Sequence, residues 1–172
     1  MSTFAAATGI GSWPGTSARE AAEVVVGELH RMPHLVELPA RGVGADMIGR
    51  AGALLVDIAI DTVPRGYRIV ARPGAVSRRA ASLLREDIDA LEEAWEAAGP
   101  GPADRVVKMQ APGTVTLAAH LELGNGHRAI TDAGALRDLA QHVHRALVEQ
   151  RVHGIQAQPV DVVVAHRSEE HT

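Results

Sequence analysis

Gly9-Ile10-Gly11-Ser12-Trp13-Pro14-Gly15-Thr16-Ser17-Ala18-Arg19-Glu20 decides how this chain reads. The apolar run Ala5 to Ile10 predicts a buried strand. Gly11-Ser12-Trp13-Pro14-Gly15 predicts a tight loop. Ser17-x-x-Glu20 is a capping box, in which the Ser17 hydroxyl accepts from the Glu20 amide and Glu20 reaches back. The helix it opens carries Ala18, Ala21, Ala22, Val25, Val26 and Leu29 at helical spacing, and Pro33 stops it. The unit is a strand, a small-residue loop and a capped helix.

The unit recurs outward from there. His34 to Leu38 predicts a second strand, followed by an Arg41-Gly42-Val43-Gly44 loop. Asp46 to Ile58 predicts a helix with Met47, Ile48, Ala51, Leu54, Leu55 and Ile58 inward. Pro64-Arg65-Gly66 is a turn, and Tyr67 to Ala71 reads as a strand or as one arm of a hairpin. Ser77 opens a long helix to Gly99, with Leu84, Ile88, Leu91, Trp95 and Ala98 inward and Arg85, Glu86, Asp89, Glu92, Glu93 and Glu96 wet. Its early arginines and late glutamates oppose the helix dipole, so packing must hold it. Arg105 to Gln110 is a strand ended by Pro112-Gly113, Thr114 to Leu123 a helix, and Gly124-Asn125-Gly126 a turn. Asp132 to Gln150 is a helix with Leu136, Leu139, Ala140, Val143 and Leu147 inward, and Val160 to Ala165 a last strand. Short strands alternating with longer helices predict an α/β fold with a parallel sheet. Functional groups are expected where strands end and helices begin.

Composition narrows the function. The 172 residues are 46% hydrophobic and 22% charged, enough apolar material for a core. A net charge of −4 disfavours a nucleic-acid stripe or a polybasic membrane patch. Aromatic residues, at 2%, are too few for a base-stacking platform. No segment approaches the ~20 apolar residues of a membrane span, and Met1-Ser2-Thr3-Phe4 lacks the basic start of a secretion signal. A cytoplasmic location is expected. Cysteine is absent, which removes disulfides, thiolate ligands and cysteine nucleophiles.

Several candidate motifs have plainer readings. In Gly9-x-Gly11-x-x-x-Gly15, Pro14 occupies the third glycine position of a dinucleotide fingerprint. Gly124-x-Gly126-x-x-Ala129 follows a helix rather than a strand. His30 and His34 are separated by the helix-breaking Pro33, and His142 and His144 point to different helix faces. Asp138 and His142 share a face, but two ligands make no zinc site. Asp46 reads first as the cap of its helix. Lys108, the only lysine, is either a cation at the site mouth or a lysine that snorkels to water.

Three segments in order carry a family resemblance. Ile10-Gly11-Ser12-Trp13-Pro14 resembles the Ile-Gly-Ser-aromatic-Pro motif that opens the catalytic barrel of cobalamin-independent methionine synthases. Gly44-Ala45-Asp46-Met47-Ile48 resembles that family's Asn-Asp-Met-Val segment. Lys108-Met109-Gln110-Ala111-Pro112-Gly113-Thr114-Val115-Thr116 resembles the Gly-Pro-x-Thr turn shared with uroporphyrinogen decarboxylases. The likeness covers roughly residues 5 to 150.

The resemblance implies a (β/α)8 barrel and methyl transfer from a methyl-folate to homocysteine sulfur. It implies zinc, which favours the thiolate of the bound thiol. It assigns Ile10, Gly11 and Ser12 to the amino-acid substrate, whose carboxylate suits backbone amides and a hydroxyl. Asp46, Lys108 and Gln110 lie in the other matching segments and join the candidate substrate-binding set.

Departures from the family shape the expectation further. The family's zinc ligands are cysteine, histidine and glutamate from the later barrel, and this chain has no cysteine. The family's acidic homocysteine contact has no evident counterpart, and Arg41 lies near its place. A full barrel needs about 250 residues. The expectation is therefore an incomplete barrel over residues 1–172, about the first half, unable to catalyse methyl transfer alone, with residues 151–172 a divergent tail. Arg167-Ser168-Glu169-Glu170-His171-Thr172 matches one reading frame of a sequencing adapter, which points to an artefactual end. Two other readings stand beside this one. A uroporphyrinogen-decarboxylase-like enzyme would use Arg41, Arg50 and Arg65 around a tetrapyrrole, and a non-catalytic half-barrel would only bind a ligand. The motifs leave the oligomeric state open.

Overall fold

The computed structural model describes residues 7–55, 57–100, 106–153 and 163–167. Helix α1 (Ala18–Glu28) begins where the capping box places it, and the Ser17 side chain accepts from the Glu20 amide. Its buried face, Ala18, Ala21, Ala22, Val25 and Val26, is the expected stripe. Helix α2 (Met47–Leu54) is capped by Asp46, which accepts from the Ile48 and Gly49 amides. It ends four residues short of the expected Ile58. Leu55 turns to extended backbone, and Asp57 takes a left-handed φ of 63°, which aspartate tolerates better than most residues.

That early ending releases a strand the periodicity hid. β1 (Ala59–Val63) and β2 (Gly66–Val70) form an antiparallel hairpin, with Val63 opposite Gly66. The segment at Tyr67 is thus the second arm of a hairpin. Helix α3 (Ala75–Ala97) starts two residues before Ser77. Ser77 is no cap because its hydroxyl serves β1: Oγ donates to the Ile60 carbonyl at 2.7 Å and accepts from the Ile60 amide at 3.2 Å. Along α3, Leu84 and Leu91 are buried as expected, while Ala98 is exposed and Asp87 is fully buried.

β3 (Lys108–Pro112) lies later than the expected Arg105 to Gln110, of which Arg105 falls outside the described residues. Helix α4 (Thr114–His120) is shorter than expected, because its last residues form the two-residue β4 (Leu121–Glu122), parallel to β2. The Gly124-Asn125-Gly126 turn closes with the Gly126 amide on the Leu123 carbonyl. Helix α5 (Ala133–His153) is capped by Asp132, which accepts from the Gly134 and Ala135 amides. Leu139 and Val143 are buried, and Leu147 lies outside the described side chains. β5 (Val163–Arg167) pairs in parallel with β3, while residues 160–162 lie outside the described residues.

The parallel layer contains more than β3 and β5. Pro33 to Leu38 is hydrogen-bonded on both sides. The Lys108 amide donates to Pro33, and the Leu35 amide donates to Lys108. On the other side the Glu37 amide donates to Gly11, and the Trp13 amide donates to Glu37. The bridges Ser12 to Glu37 and His34 to Lys108 are both parallel. The expected strand His34 to Leu38 is therefore present as short bridges. Of the expected strand Ala5 to Ile10, Ala5 and Ala6 lie outside the described residues, and Ala7 to Ile10 have no strand pairing; pairing starts at Gly11. Four parallel segments thus stand side by side in chain order. They are Gly11–Trp13, Pro33–Leu38, β3 and β5.

Helices α1 and α3 pack on each other and on this layer. Their core joins Ala21, Val25, Leu84 and Leu91 to Leu35, Val36, Val107 and Ala111. A second core joins Ile48 of α2, Ile60 and Tyr67 of the hairpin, Leu117 of α4, and Leu139 and Val143 of α5. Among the described residues, no helix is long and apolar enough to cross a membrane.

Candidate functional site

The loop before α1 lies over the polar side chains of the next two parallel segments. Strand pairing places His34 and Lys108 side by side, and residues two apart on β3 share a face, so Gln110 follows Lys108. The backbone of the loop touches all three. Lys108 Nζ donates to the Gly9 carbonyl at 2.6 Å. A Cβ on Gly9 would lie 2.3 Å from His34 Cε1, and one on Gly11 would lie 2.4 Å from Gln110 Nε2. Gly11 also has a φ of 112°. These two positions admit glycine alone, one for space and one for space and backbone angle.

Burial is deep beneath the loop and shallow above it. His34, Glu37, Lys108 and Gln110 are all buried, at 3%, 8%, 8% and 7% exposure. Ser12 and Ile10 are exposed. Gln110 Nε2 donates to the Leu35 carbonyl at 2.7 Å. Its Oε1 and both ring nitrogens of His34 are buried without a partner. Buried polar atoms are rarely left so, and such a set marks a place where a ligand or water bonds. Burial pushes the Lys108 ammonium below the ordinary lysine value, and the Glu37 carboxylate opposes that shift. Burial and then the Lys108 charge push His34 down, so its imidazole is neutral at physiological pH.

Of the expected site residues, Ile10, Gly11, Ser12, Lys108 and Gln110 come together. Lys108 is largely buried, and its ammonium is bonded to the loop. The hydrogen bonds of Asp46 run to α2 and to Tyr67. Its Oδ1 caps α2, and its Oδ2 accepts from the Tyr67 hydroxyl. Tyr67 in turn accepts from the Gly44 amide at 3.0 Å. Burial, followed by the bond to Asp46, pushes the Tyr67 phenol up to about 12.

Glu37 escaped the reading of the sequence. It is a carboxylate in the buried run His34-Leu35-Val36-Glu37-Leu38, paired in register with Ser12. A charged residue inside a short apolar strand is the signal that finds it.

Of the three arginines expected to serve a tetrapyrrole, two have side chains paired with a buried carboxylate. Arg41 Nη2 and Arg50 Nη1 each donate to Asp87, at 2.5 Å. Arg65 lies in the hairpin turn, where its carbonyl accepts from Arg128. Asp87 was missed because it stands in an acidic run, but its spacing from Leu84 and Leu91 puts it on the buried stripe.

Among the described residues no three of histidine, cysteine, aspartate and glutamate are grouped to hold a metal ion, and the sequence has no cysteine. The residues present do not fit the zinc centre that the family implies.

No curated protein and no solved structure matches the chain. The family described as "Cobalamin-independent synthase, Catalytic domain" matches residues 4–165, nearly its whole length. That span takes in the Gly9–Ser12 loop, Glu37, Lys108 and Gln110, and the chain belongs to the cobalamin-independent methionine synthase catalytic-domain family.

Proposed function

We propose that the Gly9–Ser12 loop and Glu37 form the amino-acid end of a methyl-transfer site whose acceptor is homocysteine. The family's general reaction is methyl transfer in methionine synthesis. The observation that carries the assignment here is the in-register pairing of Ser12 with Glu37. It sets an exposed hydroxyl and loop amides beside a buried carboxylate. Loop amides and the Ser12 hydroxyl suit the substrate carboxylate, and Glu37 suits its ammonium. Glu37 then fills the acidic role that the sequence alone left without a candidate.

The reaction moves a methyl group from a folate nitrogen to the homocysteine sulfur: the N–CH3 bond breaks, the S–CH3 bond forms, and the proton lost by the thiol is balanced by one gained at the folate nitrogen. The chain's own part is to hold the amino-acid end, so that the sulfur stands at a fixed distance from the loop. The four parallel segments in chain order are read as consecutive strands of a barrel of the (β/α)8 type, about its first half. A cytoplasmic location is proposed with this reading. With no cysteine in the sequence and no metal-holding group among the described residues, the chain is proposed to bind homocysteine without methylating it.

Calorimetry with L-homocysteine tests the site. The chain should bind it saturably, and Ser12→Ala should weaken binding several-fold. Equal affinity in the variant would remove Ser12 from the site.

A further inference from the structure

We propose that Lys108 is a positioning residue, whose ammonium on the Gly9 carbonyl holds the Gly9–Ser12 loop in the form that receives substrate. Its functional meaning rests on the reading of that loop as the amino-acid subsite. The seating of the loop is a separate matter and is tested separately.

The geometry separates this role from direct substrate contact. Lys108 Nζ bonds the loop from below, at 2.6 Å from the Gly9 oxygen, and Lys108 is 8% exposed. Ile10 and Ser12, the neighbouring loop residues, are exposed. The fit around the bond is close. Gly9 rests on the His34 ring, and Gly11 rests on the Gln110 amide. Without the Lys108 bond, the Gly9 oxygen would sit over buried side chains with no donor, which costs about as much as a lost charged hydrogen bond. The next restraint along the loop is the Glu37 amide on the Gly11 carbonyl, at 2.9 Å. Its exchange with solvent therefore reports whether the loop is seated.

The ammonium makes the seating depend on pH. The described groups that face Lys108 are the Gly9 carbonyl on the loop, His34 and Glu37 on the adjoining segment, and Gln110 on β3. Burial lowers the Lys108 value and Glu37 raises it, with burial the larger effect. The bond is therefore at full strength at neutral pH and weakens as pH rises, before an ordinary lysine would titrate. Arginine keeps its charge through that range and methionine has none.

The experiment follows the Gly9 carbonyl carbon by NMR from pH 7 upward, together with exchange at the Glu37 amide. In the unaltered chain the Gly9 signal should move with a midpoint below the ordinary lysine value of 10.5. In Lys108→Arg it should stay still over that range. In Lys108→Met, at neutral pH, it should already stand at its alkaline position, and the Glu37 amide should exchange about tenfold faster than in Lys108→Arg. A Gly9 signal that does not titrate in the unaltered chain overturns the proposal, whether or not Lys108→Met folds. Equal Glu37 exchange in folded Lys108→Met and Lys108→Arg overturns it as well. Homocysteine calorimetry on the same samples separates the two claims. An unaltered chain that seats its loop but binds no homocysteine removes the substrate reading and leaves the positioning role standing.

Discussion

Arg50 Nη1 donates to Asp87 Oδ2 at 2.5 Å, and both side chains are buried. The other Asp87 oxygen accepts from Arg41, so one carboxylate on α3 ties together α2 and the loop that precedes it. A charge so placed is held only by its partners. Asp87→Ala leaves two buried guanidinium groups without their carboxylate and should cost about 3–5 kcal/mol. Urea unfolding of the variant measures this. A loss under 1 kcal/mol would show that water reaches the arginines freely.

Tyr67 joins the hairpin to the start of α2 through Asp46 and Gly44. Its folded value of about 12 lies above the ordinary tyrosine value of 10.0. The neutral phenol is favoured in the fold, so this stabilisation is complete below pH 10 and is lost as pH rises toward 12. Tyr67→Phe should lower stability at pH 7 by about 1–3 kcal/mol. It should also flatten the fall in stability between pH 10 and 12, measured by urea midpoints across that range. An unchanged alkaline slope would contradict the assignment.

His34 has the opposite sign. Its folded value is lowered by burial and by Lys108. The unfolded chain therefore binds the proton more readily. The stability this group confers is full above the ordinary value of 6.5 and is lost as pH falls through the folded value. His34→Gln should shrink the loss of stability between pH 7 and pH 5 relative to the unaltered chain. The difference between the two urea curves is the test, because the other eight histidines contribute to both.

Gly11 has both reasons to remain glycine, a φ of 112° and the Gln110 side chain where a Cβ would go. Gly11→Ala should cost about 1–3 kcal/mol in strain and displacement. It should weaken homocysteine binding more than its effect on stability suggests, because the loop itself moves. Gly15→Ala is the control. Its φ of 91° is equally unusual, but nothing lies within 4 Å of its Cβ position. If both variants bind homocysteine equally, the seating on Gln110 is irrelevant to the site.

The sequence is legible where one residue decides the backbone. Ser17 and Asp46 each accept from helix amides at the places their sequence contexts predict. Pro33 separates α1 from the buried segment that carries His34. What was missed depends on contacts far along the chain. Ser77 resembles a cap but bonds Ile60, 17 residues away. The apolar spacing through Ile58 continues the helical pattern past Leu54, yet the backbone turns at Leu55 and Asp57 to start the hairpin.

The site shows the same division. Ile10, Gly11, Ser12, Lys108 and Gln110 are legible as candidates in the family-like segments, but not that Lys108 would reach back 99 positions to Gly9. Glu37 and Asp87 are masked as buried charges by runs that read first as strand or as wet helix, and only the spacing of their apolar neighbours marks them. Asp46 was legible as a cap, and its bond to Tyr67 was not.

The central claim is that Glu37 holds the ammonium of an amino-acid substrate beside the Gly9–Ser12 loop. The most direct measurement is calorimetry with L-homocysteine and with 4-mercaptobutyrate, which lacks the ammonium, on the unaltered chain and on Glu37→Gln. The account predicts that the unaltered chain prefers homocysteine at least tenfold and that Glu37→Gln loses most of that preference, the size of one charged hydrogen bond. An undiminished preference in Glu37→Gln, or no preference in the unaltered chain, would contradict it.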